Sequence, residues 1–327
     1  MFVQRLTSLA PVFVALQLIG CGAAPAPVAA PCFSVRTDSE LRASDAHKIL
    51  EDLAHGIKLP PEDEALRKPT SMANIREIMR RDTVYLFSDA AAFARSLDST
   101  EGRFSEAALE LAMGESQLVA SQILTTQSAW VGNDLRIARA NVATEGDAPS
   151  TDRGRMLVQL IRVVEEGNKI ADALGIVAPK HLRRGAAVVV RLQNEAPSDP
   201  HTALLVAEYH RLRGEWPEFE AAMTSAEASA HGSPPLCYLR AMEQLERFHK
   251  ADAGSARLRE CLQKYPRFVR AQAALVLMAS DHAAALRELH ALKVMNEDHY
   301  LVMLLEPTLA AEHELWRMQN GGANAAR

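Results

Sequence analysis

An all-α fold is predicted by three features of this 327-residue chain. Alanine is abundant and aromatics make up only 5 % of residues; alanine has the highest helix propensity and lets helices pack closely. β-Branched runs are nearly absent, the main one being Val188-Val189-Val190 between helix-like flanks. Beyond about residue 153, helical stretches of 12 to 16 residues alternate with short turns rich in Gly, Pro or Asp. Hydrophobic residues are 48 % and charged residues 24 %, enough to bury a sizeable core in one large domain or two ordinary ones.

Taken in order, Met1–Arg5 is a short, weakly basic segment and Leu6–Gly20 is mostly apolar. About fifteen apolar residues fall short of the roughly 20 needed to span a bilayer and suit a signal peptide. The segment ends in Leu18-Ile19-Gly20-Cys21. These four residues resemble the lipobox of bacterial lipoproteins. The resemblance implies cleavage after residue 20, diacylglycerol on the Cys21 sulfur and acylation of its new amine. Several acyl chains on one residue hold a protein on a membrane where one chain holds only marginally. Residues 21–37 then form a Pro/Ala-rich tether, extended by its prolines over roughly 30 Å. Gly22 follows the cysteine where enterobacterial inner-membrane retention signals place Asp, so the resemblance favours the outer membrane.

Residues 38–146 are expected to form an irregular helical subdomain. Asp38 or Ser39 caps a first helix bearing Ile49, Leu50, Leu53 and Ile57, ended by Gly56 and Pro60-Pro61. Pro61 with Glu62-Asp63-Glu64 starts another, since proline at the first helical position and acids in the first turn favour the helix dipole. One or two helices occupy 71–97. A long one runs from Phe104 to Val131, and Gly132-Asn133-Asp134 is expected to stop and restart it. The Gly146–Ser150 loop marks a boundary, and residues 320–327 form a disordered tail.

Residues 150–319 carry a repeat. The clearest unit is His201–Ser229: one helix with Ala207, a turn at Gly214, then a helix with Trp216, Phe219 and Ala226. Gly185, Phe219 and Gly254 recur 34 and 35 residues apart, as do Leu192, Ala226 and Cys261. Such periods signal stacked helical hairpins. The pattern resembles degenerate tetratricopeptide (TPR) repeats, with Phe219 larger than the alanine the family prefers. The resemblance implies antiparallel hairpins stacked as a right-handed superhelix with a concave groove over about residues 165–294, the last unit shortened to Phe268–Val294. An irregular bundle is the alternative. In the repeat family, groove-facing positions fall at Glu208, Arg211, Arg240 and Gln244.

Cys237 and Cys261 each lie 12 residues from His249, near a hairpin turn, so a disulfide between them is geometrically allowed; two buried thiols are the alternative. Cys32 is left over. His47 and His55, like His282 and His290, are two helical turns apart, too far to chelate one ion from one helix. Glu312-His313-Glu314-Leu315 lacks the second histidine of a zinc protease motif, and no nucleophile elbow, phosphate loop or CxxC motif occurs. No catalytic residue, metal or cofactor is therefore expected. A net charge of −5 argues against nucleic acid, and Arg80-Arg81 and Lys180–Arg184 are read as solvated helix faces. The functional expectation is an envelope lipoprotein, no enzyme, whose helical groove holds another envelope protein or peptide. The alternative is a solute-binding accessory component of an envelope transport system, marked by a deep apolar cavity rather than an open groove.

Overall fold

A computed structural model describes residues 42–56, 65–145, 152–229, 232–279 and 281–306. The expectations for the signal peptide, Cys21, the tether, Cys32, the caps at Asp38 and Ser39, the helix start at Pro61, the 146–150 loop and the 320–327 tail lie outside these residues. Among the described residues every regular element is helical and no strand occurs, as the composition predicts. The helices are α1 (Ala43–Gly56), α2 (Met72–Arg81), α3 (Phe87–Ser96), α4 (Thr100–Glu145), α5 (Asp152–Glu195), α6 (Pro200–Arg213), α7 (Trp216–Ser229), α8 (Pro234–Glu246), α9 (Ala251–Lys264), α10 (Val269–Leu277) and α11 (His282–Met295), with a last turn at 300–306.

These residues divide into two units. The first comprises 65–113 and 182–306; the second comprises 42–56 and 114–181. The division therefore does not follow the expected boundary at 146–150, because α4 and α5 each contribute to both units.

In the second unit, Ala46, Ala173 and Val177 form a small core with Ile49, Leu50 and Ile176. Ser121 Oγ donates to the Ala171 carbonyl at 2.7 Å. The chain does not break at Gly132-Asn133-Asp134: α4 is a single helix of 46 residues. Likewise α5 is one helix of 44 residues, where the repeat spacing predicts shorter hairpin helices, and it passes through Pro179. Interior Gly and Pro cost roughly 1 and 3 kcal/mol, and tertiary packing overrides propensities of that size. The neighbours of Pro179 that pack, Ala171, Ala173, Val177 and Ala178, are all buried.

In the first unit the helices that follow α5 are short, 9 to 14 residues each. Asp199 accepts from the His201 N–H at 2.8 Å, Pro200 opens α6, and Gly214 closes it at φ 69°. That left-handed conformation is nearly free for glycine. α6 packs on α7, α8 on α9 and α10 on α11. The positions in register across the units are buried: Leu192, Phe219, Ala226 and Cys261 are fully inaccessible. The first of the three units departs from the expectation. Gly185 has no separate helix before it; its close neighbour is Leu111 of α4, within 2.9 Å of where a Cβ would stand. The start of α4 thus takes the place of the missing hairpin partner, joining Ala107 and Leu111 to the core of α6–α10.

A second core, with Ile75, Ile78, Phe87, Leu109 and Met113, holds α2 and α3 to α4. Asp82 ends α2 in the left-handed region at φ 53°. Its carboxylate meets His299 Nε2 at 3.1 Å, and Asn296 Nδ2 donates to the Arg81 carbonyl at 2.6 Å. The Leu301 N–H donates to His299 Nδ1 at 3.2 Å, so Nδ1 is the acceptor and Nε2 carries the proton toward Asp82.

Candidate binding groove

The first unit holds a cavity of about 1230 Å³ that opens to solvent along part of its boundary. All its described lining residues belong to that unit. One wall comes from α2–α4 through Met79, Phe87, Phe104 and Leu109; the other comes from α6 and α8 through Leu204, Leu205, Tyr238 and Leu239. The α9–α10 turn closes one side with Tyr265, Pro266 and Phe268. Most of the wall is apolar. The helical pattern explains this: residues 204, 205 and 208 lie on one stripe of α6, and 235, 238 and 239 lie on the corresponding stripe of α8.

Of the four residues expected in the groove, only Glu208 lines it. Arg211, expected to be accessible, is 3 % exposed beneath the wall. Its guanidinium donates to Glu208 at 3.1 and 3.2 Å and to Glu246 at 2.6 Å. Arg270 pairs with the same Glu208 carboxylate and lies over the Tyr238 ring, 4.6 Å from its centroid. Burial raises the Glu208 pKa, but the charges of Arg211 and Arg270, then their hydrogen bonds, overcome it and hold the carboxyl at about 2. Glu208 is therefore an ionised, fully engaged carboxylate with no spare capacity for proton transfer near neutral pH.

Arg240 also leaves the groove. It donates to Glu220 at 2.8 and 3.0 Å, to Glu227 at 2.7 Å and to Glu243 at 2.9 Å. Those hydrogen bonds, from Glu220 first and Glu227 next, raise its pKa above the usual arginine value. It clamps α7 to α8. Gln244 does not line the cavity either; its half-buried position supplies a backbone carbonyl to the Lys250 N–H at 2.8 Å. Arg211 and Arg240 miss the groove for one reason. Each finds carboxylate partners on a neighbouring helix 13 to 35 residues away, and those pairings turn them into the wall rather than its surface.

Nothing in the sequence pattern points to the cavity's charged rim. Arg76 pairs with Glu101, and Arg80 Nε donates to Glu77 at 2.7 Å. Hydrogen bonding from Arg80 holds the Glu77 pKa below the usual carboxylate value, against burial, and the charge of Arg267 across the rim contributes. Lys264 and Arg267 complete the set from the α9–α10 turn. Helical spacing alone puts Arg80 on a solvated face; only the tertiary approach of residue 267 makes it part of a site. The His201 ring lies tilted at 48° against Phe104, with centroids 5.6 Å apart.

Cys237 of α8 and Cys261 of α9 form a disulfide, with Cα atoms 5.9 Å apart. Among the described residues no group of three His, Cys, Asp or Glu side chains is placed to hold a metal ion. No described helix is long and apolar enough to cross a membrane. No protein-family model, curated protein or solved structure matches this chain.

Proposed function

We propose that this chain is an envelope lipoprotein, tethered through Cys21, whose first unit binds a segment of another envelope protein in the groove between α2–α4 and α6–α10. The observation that carries the binding reading is the cavity itself. Its volume of about 1230 Å³ exceeds the roughly 300–1,000 Å³ of ordinary small-molecule sites. Its apolar walls present aromatic and aliphatic anchors of the kind that dominate protein recognition. The TPR-like register and the N-terminal lipobox support the rest: an address at the membrane and a body built for contact. The solute-binding alternative is favoured by one observation, the scarcity of polar groups in the wall, which suits an apolar small molecule as well.

Two experiments test this. Radiolabelled palmitate should enter the wild-type chain and not Cys21→Ala, and the variant should leave the membrane fraction. A photo-crosslinking amino acid at Leu205, in the groove, should trap a discrete envelope protein. The same probe at Val190, which is 49 % exposed and outside the lining, should not. Identical or absent products from both positions reject the groove as the binding face.

A further inference from the structure

We propose that the groove's occupant is an amphipathic helix of two to three turns, with carboxylates at the end that meets Arg80, Lys264 and Arg267. This rests on the binding reading above and specifies the chemistry of what is bound. Size gives the first argument. A helix 10–12 Å across that rises 1.5 Å per residue fills about 1200–1700 Å³ in ten residues. The cavity of about 1230 Å³ therefore holds roughly seven to ten.

Polarity gives the second. An extended segment brings one backbone donor and one acceptor per residue into the groove. The walls offer few partners, and an unpaired buried amide costs about 1–3 kcal/mol on protein scales. A helix satisfies those groups internally and shows the groove only a side-chain stripe at i, i+3, i+4 and i+7.

Charge gives the third. The rim holds more cations than carboxylates in a chain whose net charge is −5, so the surplus is local. Glu101 and Glu208 are already engaged by arginines, and Asp82 by His299. Among the described residues no hydrogen bond or ion pair joins Lys264 or Arg267 to a carboxylate. Arg80 and Arg267 both line the cavity, and the charge of Arg267 reaches Glu77, the carboxylate that Arg80 holds. An acidic end, aided by the partial negative charge of a helix C-terminus, complements this cluster.

The test is a display selection on the full chain. The library holds helical peptides with a fixed apolar stripe, the remaining positions randomised among Glu, Lys, Gln and Ala. Binders should be enriched in Glu at one end only. The double variant Lys264→Glu/Arg267→Glu, at two exposed positions, should weaken them about tenfold. Wild-type-like circular dichroism of that variant guards against misfolding. Binders that compete at Leu205 but show no acidic bias, or survive the charge reversal, overturn this inference and leave the binding reading standing. No binders at all, or a co-purifying lipid or a second copy of the chain in the groove by native mass spectrometry, overturns both.

Discussion

Neutralising Glu208 should remove a substantial part of the first unit's stability, in a way that pH can isolate. The carboxylate is buried at 7 % exposure and paired with Arg211 and Arg270. A carboxyl whose pKa falls from 4.5 to about 2 on folding contributes about 3 kcal/mol once ionised in both states. Because the folded value is depressed, this contribution is present above pH 4.5 and is lost as pH falls toward about 2. Glu208→Gln keeps the volume and removes the charge, leaving Arg211 with Glu246 and depriving Arg270 of this ion pair. Urea unfolding followed by circular dichroism should show the variant about 3 kcal/mol less stable at pH 7. The gap should shrink to about 1 kcal/mol at pH 2.5. A gap below about 0.5 kcal/mol at pH 7, or one of equal size at both pH values, would refute the assignment of Glu208 as the anchor of this network.

Other perturbations have equally direct outcomes. Replacing both Cys237 and Cys261 by Ser opens a link of sequence separation 24 and should cost about 3 kcal/mol, measured against the oxidised wild type by urea unfolding. Gly254→Val must find room where a Cβ would already stand 3.1 Å from the Ala241 carbonyl and 3.2 Å from Met278 Cε; a loss of about 1–3 kcal/mol in chemical denaturation is expected. Gly175→Ala meets only Ser121 Oγ at 3.4 Å inside a helix and should raise thermal stability, by about 0.5–1 kcal/mol. His299→Ala leaves the Asp82 carboxylate without that donor and opens a void at a fully buried position, for a loss of about 2–4 kcal/mol by calorimetry.

The local part of this fold is legible in the chain. Gly214 ends α6 where the sequence places a turn, and the recurring Phe219, Ala226 and Cys261 are all fully buried. Hairpins are short-range objects, and their signals are short-range. What fails is continuity and partnership. Gly132 reads as a break because its penalty is local, whereas the packing that outweighs such a penalty is not. The groove's first wall, built from residues 76–112, faces helices about ninety or more positions later, and no spacing rule reports that. Glu208 and Arg211 show the same limit. Three apart on one helix, they read as an accessible pair, and only Arg270, 62 residues on, reveals a buried triad.

The contacts of Asn296 and His299 with Arg81 and Asp82 span 215 and 217 residues. Closing a loop of that length costs about 5 kcal/mol in chain entropy, so these bonds follow other contacts rather than lead them. The first unit is also interrupted in sequence, its two parts separated by 114–181. A ribosome must therefore deliver nearly the whole polypeptide before the wall carrying Asp82 can be fastened. Until then α2 and α3 are covered by their own core with Leu66 and the start of α4. A wall that is fastened so late stays open through most of synthesis.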